Sequence, residues 1–315
     1  MSIAPPNTPT QELAVQAQRS QKLGRVLSEG AIRWFCLACA ILSIFTTFGI
    51  IYVLLSQALP FFRTVSPVTF LTGMDWKPTP EPGSYGVIPL VTSTLMITVG
   101  AGIFALPIGL LSAIFLSEYA KPRTRTILKP ALELLAGIPT VVYGYFGLFF
   151  VTPLLKKLLP DIQASNALAG AVVVGIMILP LVSSLCEDAI SSVPKALREG
   201  AQGLGATKSE TILKIVVPSA FSGVVASFIL ALSRALGETM AVTLAAGSNP
   251  VFNLDPQKGI LTMTAYMVST SKGDISVGSM KYYSIFAVGL LLFVFTMVMN
   301  LIAQRLVRKF RLSYQ

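Results

Sequence analysis

Apolar residues along this chain fall into six long blocks instead of the short alternations of a soluble fold. The blocks cover 34–59, 87–117, 131–155, 167–185, 217–247 and 282–304. Each approaches or exceeds the roughly 20 residues that carry an α-helix across a hydrocarbon core. The pattern predicts an all-α, polytopic membrane protein with six transmembrane helices, a polar tail over 1–33 and a second tail over 305–315. An even number of spans places both tails on one side. The second and fifth blocks are longer than a span requires. Pro89 and Pro107 in the second, and a run of small residues in the fifth, predict tilt, kinks or a short flanking helix. Pro139 in Gly137-Ile-Pro-Thr140 and Pro180 in Ile178-Leu-Pro180 predict breaks or bends in the third and fourth. The first tail reads as disordered at its start, and the apolar run after it is too long for a signal-peptide core, so the first span is retained.

Composition agrees with this class. Hydrophobic residues make up 53% of the chain and charged residues 12%, with a mean hydropathy of +0.72. The net charge of +10 is unevenly placed. The two tails and the segments 118–130 and 186–216 hold 16 of the 24 Lys and Arg, the alternate segments hold 7, and Arg234 lies inside a block. Cationic loops stay on the cytoplasmic side, so both termini are expected there. The excess sits beside membrane ends, where anionic lipid attracts it, and calls for no nucleic-acid partner.

Several chemistries are missing. The chain has no histidine, which removes His-based triads, His metal sites and His proton relays. It has no Gly-Lys dipeptide, so no Walker A cradle can be built. The chain reads as non-catalytic, with no cofactor of its own; if ATP and Mg drive it, another chain uses them. Cys36 and Cys39 form a C-x-x-C spacing, but inside a span they read as packing residues, as does Cys186.

Two features carry candidate chemistry. In the fifth block, Arg234 and Glu238 lie four residues apart, a spacing that lets them pair on one helix face. Glu238 reads as the single acid well inside a span; Glu133 lies within a turn of the cytoplasmic end of its block and reads as interfacial. Charges at membrane depth are costly and usually face a cavity or the protein interior. The pair fits an anion-selecting element of a translocation path, with the guanidinium offering a fork suited to an oxyanion. It also fits a structural ion pair that fixes helix packing. The small residues Gly100, Gly102 and Gly109 of the second block and Gly137, Gly144 and Gly147 of the third read as close helix contacts.

The second feature is the loop between the fourth and fifth blocks. Residues 194–202 are good helix formers, Gly203 and Gly205 permit a turn, and Thr207-Lys-Ser-Glu210 has the spacing of a capping box that starts a second helix. Two short helices joined at glycine make a knob that can fit a socket on a soluble partner. An amphipathic loop lying on the headgroups is the plainer reading.

From Glu199 this loop runs Glu-Gly-Ala201, then Gly205, Ile215 and Pro218. The offsets resemble the EAA loop of ABC importer permeases, with Gly200 where the family has alanine and Val217 where it has leucine. Further strings, Leu55-Ser-Gln-Ala-Leu-Pro-Phe-Phe62, Phe115-Leu-Ser-Glu-Tyr-Ala120, the run from Leu128 to Gly144, Gly175-Ile-Met-Ile-Leu-Pro180, Arg198–Thr211 and Arg234–Gly247, resemble phosphate-specific permeases of the PstC type. Met240-Ala-Val-Thr follows Arg-Ala-Leu-Gly-Glu-Thr, where the PstA type has Ala-Pro-Leu-Leu. The resemblance implies a MetI-like, type I permease in a bacterial inner membrane. It implies pairing with a PstA-type subunit, a cytoplasmic ATPase dimer and a periplasmic phosphate-binding protein, with inorganic phosphate as cargo. Glu199, Gly200, Ala201, Gly205, Ile215 and Pro218 would then couple to the ATPase. Permeases for sulfate or molybdate, an ion-driven anion transporter and a non-transporting membrane scaffold or sensor are the competing readings.

Overall fold

The computed structural model describes residues 9–79, 82–273 and 275–311. The chain divides into two compact units, one running through Ser56 and one from Gln57. Helix α1, Pro9–Thr64, runs from the first into the second. Its apolar stretch from Ile32 includes Trp34, Phe35, Phe45 and Phe48, all strongly exposed, as suits side chains that meet lipid. The residues from Pro9 to Arg33 are helical and continuous with this span, where the sequence read as a tail, because Ala, Gln, Leu, Glu, Lys and Arg favour helix. The expectation of disorder at the start of that tail falls on residues 1–8, outside the described residues.

In the second unit the short α2, Pro67–Thr72, leads to a two-stranded hairpin, β1 Trp76–Lys77 and β2 Ser84–Tyr85, in which Trp76 faces Tyr85. Helix α3 spans Ile88–Ile114 and ends in a π-helical turn, Phe115–Tyr119. Then come α4, Pro122–Ala136; α5, Thr140–Phe146; a second π turn, Gly147–Val151; and α6, Thr152–Lys156. Helix α7, Ala167–Ser191, precedes the loop helices α8, Lys195–Gly203, and α9, Lys208–Thr211. A third π turn, Ile212–Val216, leads into α10, Val217–Ser219, and α11, Phe221–Leu236. The chain ends with α12, Met240–Ala245; α13, Met263–Lys272; and α14, Met280–Arg311.

Four described helices are long and apolar enough to cross a membrane unbroken: Ile32–Thr64, Ile88–Tyr119, Ala167–Ser191 and Met280–Leu306. The third and fifth blocks are instead bent, by 90° between α4 and α5 and by 67° between α10 and α11, giving six crossings if each bent pair is one span. The 90° bend sits at Gly137-Ile-Pro139, where the residue before proline avoids helix. Gly137 closes α4 and contacts only its own turn, so it serves the bend and not the close packing that its sequence suggested. Pro180 is carried inside α7 without ending it.

Helices α3 and α7 form the centre and run parallel. Gly100 lies against Ala171 and Gly109 against Val182, so tightly that a Cβ at either would stand 2.8 or 2.6 Å from its neighbour. Two parallel neighbours require the intervening chain to return across the body. The bent segment from α4 to α6 makes that return. Helix α7 in turn runs antiparallel to the chain after it, with Ala189 beside Gly223 and Gly170 beside Ala246. The C-terminal ends of α3 and α7 and the start of α11 therefore share one end of the body. At the other end, Phe61, Phe70, Trp76, Tyr85 and Tyr266 form a second, aromatic core.

Candidate functional site

The loop between α7 and α11 forms two short helices at the end where α3 and α7 finish. Pro194 caps α8 from an extended conformation. Gly205 turns the chain at φ +87°, a left-handed conformation that penalises any residue with a Cβ. Thr207 and Glu210 form the expected capping box: the threonine hydroxyl accepts from the Glu210 N–H at 3.3 Å, and the Glu210 carboxylate accepts from the Thr207 N–H at 3.1 Å. The Thr207 backbone, then its hydroxyl, then Lys214, hold the Glu210 carboxyl down at about 2.

The candidate coupling residues occupy this knob. Glu199 and Gly200 are exposed on α8, and Ala201 is its buried contact. Ile215 in the third π turn and Pro218 in α10 are half-buried. Leu204 at the tip is 92% exposed, and Leu197 and Leu213 are exposed beside it. The knob thus presents these leucines among exposed charged residues, including Lys195, Glu199, Lys208 and Lys214.

Two residues that the sequence reading left unweighted tie the knob to the membrane helices. Arg198 donates to Glu118 at 2.9 Å and to the Ile190 carbonyl at 2.9 Å, and also to the Val193 carbonyl. Glu118 belongs to the π turn that ends α3. The next residue of that turn, Tyr119, lies under the Lys208 ammonium, 4.7 Å from the ring centre, and its hydroxyl is 3.4 Å from Ser209. Both loop helices therefore rest on one π turn.

The intramembrane charges are arranged differently from the expectation. Arg234 and Glu238 do not share a helix face, because α11 stops at Leu236 and Gly237 takes the chain out of helix. Glu238 turns to the start of α12, where its carboxylate accepts from the Ala241 N–H at 3.1 Å, and its carbonyl accepts from the Thr264 hydroxyl at 2.7 Å. The sequence signal was present: glycine marks a helix end, and an acid just before a new helix supplies its unpaired N–H groups.

Arg234 makes no hydrogen bond or ion pair with any described residue. It lines a cavity of about 240 Å³ together with Lys129, Glu133, Ser184 and Glu187, over an apolar wall that includes Met177 and Leu181. Glu133, read as interfacial from its position, shares this cavity. Glu238 is not the only enclosed acid either. Glu187 of α7 is completely buried and accepts from two cations of α4, Arg125 and Lys129, the latter at 2.7 Å. It was missed because its acidic neighbour Asp188 and the following polar residues made it look like the start of the loop.

Four unbroken helices and two bent helix pairs, long and apolar enough to cross a membrane, define a polytopic membrane protein. The chain belongs to the family of binding-protein-dependent transport system inner membrane components, whose model matches residues 105–312. It is thus a MetI-type ABC importer permease subunit, a non-catalytic, multi-pass protein of the inner membrane. It is 35% identical to the probable ABC transporter permease protein YqgH of Bacillus subtilis, over 91% of this chain and 93% of that one. It is 33% identical to the phosphate transport system permease protein PstC of Haemophilus influenzae, over 76% of this chain and 81% of that one. Among solved structures, a bacterial alginate ABC transporter matches with a TM-score of 0.62 at 17% identity, covering 88% of this chain and 94% of that one. At that identity the likeness shows the fold alone.

Proposed function

We propose that this chain is half of the translocation path of an ATP-driven phosphate importer, paired with a PstA-type permease. In this reading a cytoplasmic ATPase dimer docks on the Glu199–Pro218 knob, and a periplasmic binding protein delivers phosphate to the opposite end. Both termini and the knob lie in the cytoplasm, in keeping with the cationic excess on that side. Closure of the ATPase dimer moves the knob, and the movement passes to α3 through the π turn and to α7 through Arg198. The path opens outward to the loaded binding protein and then inward, the alternation common to such transporters.

The observation that carries the choice of an oxyanion is the unpaired, exposed guanidinium of Arg234 on the wall of a cavity it shares with Lys129. A fork of N–H donors without a carboxylate partner is free to take an oxyanion. PstC proteins among the relatives support phosphate as that oxyanion. Glu238 shapes the path's backbone at the start of α12 and leaves the arginine free.

The test is uptake of phosphate and of sulfate by proteoliposomes holding the whole complex. Phosphate uptake that depends on ATP and exceeds sulfate uptake supports the reading; the reverse preference transfers it to a sulfate permease. Within it, Arg234→Gln abolishes uptake while the complex assembles, and Arg234→Lys retains part of it, since the charge stays and the fork is lost. Full uptake by Arg234→Gln removes the arginine from the path.

A further inference from the structure

Resting on the oxyanion reading above, we infer that Lys129 is a second anion-contacting residue of the path, positioned by the buried Glu187. Lys129 lines the same cavity as Arg234. Its side chain is 33% exposed, whereas that of Glu187 is 1% exposed. A buried carboxylate needs partners, and this one has two where one would neutralise it: Lys129 at 2.7 Å and Arg125, one turn earlier on the same face of α4.

That surplus decides the behaviour. If Lys129 swings towards an anion, Glu187 keeps Arg125 and is never left as an uncompensated charge, so releasing the lysine is cheap. The flexible four-carbon stem and three donors of lysine suit such an exchange, where a guanidinium fork would be fixed. Asp188, 3.6 Å from Lys129 and 64% exposed, draws the ammonium back when the anion has left. Glu133 on the wall of the cavity opposes a permanently held anion, which a path must not retain.

Glu187 also joins two compartments. Arg125 lines a separate cavity of about 440 Å³ beneath the knob, with Glu118, Arg198 and Glu199. One carboxylate thus grips a cation of the path and a cation of the coupling surface. Movement of the knob that shifts Arg125 alters the hold of Glu187 on Lys129, so anion contact and knob position change together.

The experiment compares phosphate uptake, ATP hydrolysis and yield of the assembled complex for Lys129→Gln, Lys129→Arg, Glu187→Gln and the double variant Lys129→Gln with Glu187→Gln. Lys129→Gln is expected to assemble and to import phosphate about tenfold more slowly or worse, the worth of a charge-assisted hydrogen bond. Lys129→Arg recovers part of the rate. Glu187→Gln lowers the phosphate imported per ATP hydrolysed. The double variant assembles and stays slow, because the path cation is still missing. If the double variant instead regains both yield and uptake, the pair is purely structural and the inference falls. A wild-type complex that imports neither phosphate nor sulfate removes the oxyanion reading and this inference with it. A wild type that imports phosphate, beside a Lys129→Gln variant that does so equally well, removes this inference alone.

Discussion

At the knob-bearing end of the body, elements are joined by charges and directional bonds: Arg198 reaches Glu118 and two carbonyls of the α7 end, and Glu187 grips two cations of α4. At the other end of α3 the joints are rings. Trp76 meets Tyr266 edge to face at 4.8 Å and Tyr85 at 5.9 Å, and Phe61 meets Tyr85 at 5.2 Å and Phe70 at 5.5 Å. Interlocked rings resist sliding, because any shift opens voids in a dense core. Ion pairs re-form with new partners at similar geometry. The contrast teaches where a permease of this kind can move: its aromatic end is a fixed block, and its knob-bearing end is built from exchangeable contacts.

The largest expected effect breaks the aromatic end. Trp76→Ala deletes a fully buried ring and should cost about 3–5 kcal/mol, read as loss of assembled complex and a lower melting temperature. A variant that assembles and melts like the wild type would show that the aromatic end is not the fixed block. Next, Arg198→Ala removes charge-assisted bonds worth about 1.5–3 kcal/mol from a largely buried position. Here transport should fall while ATP hydrolysis continues, since the knob remains, its tie to α7 is gone and its tie to α3 is reduced to the contact of Lys208 and Ser209 with Tyr119. An equal fall in both would assign the arginine to stability instead.

Gly205→Val sharpens the same comparison with a smaller strain of about 1–2 kcal/mol at a left-handed position. It should weaken ATPase co-purification and leave membrane insertion intact; unchanged transport and unchanged co-purification refute the docking role of the knob. The smallest effect runs the other way. Gly200 lies in α8 with open space where a Cβ would go, so Gly200→Ala should stabilise the loop by about 0.5–1 kcal/mol. Slower amide exchange across residues 195–203 is the measurement.

The apolar blocks and the knob were legible because both rest on local rules. Helix length, the capping box from Thr207 to Glu210 and the positive φ of Gly205 are set within a few residues. The charges at membrane depth were not, because their partners are distant in sequence. Glu187 meets Arg125 and Lys129 some 60 residues away, contacts that follow from how α4 lies against α7 and leave no trace in spacing. Arg234 and Glu238 failed for the opposite reason. Their spacing suggested a pair, and one glycine between them ended the helix that the pair required.

The parallel course of α3 and α7 has an electrical side. Aligned peptide dipoles leave roughly half a negative charge at the C-terminus of each helix. Two such ends are brought together at the knob-bearing end of the body, and the guanidinium of Arg198 donates to two carbonyls at the end of one of them, Ile190 and Val193. Arg198 is therefore more than a tie between elements: it is counter-charge for a dipole field that the fold itself creates.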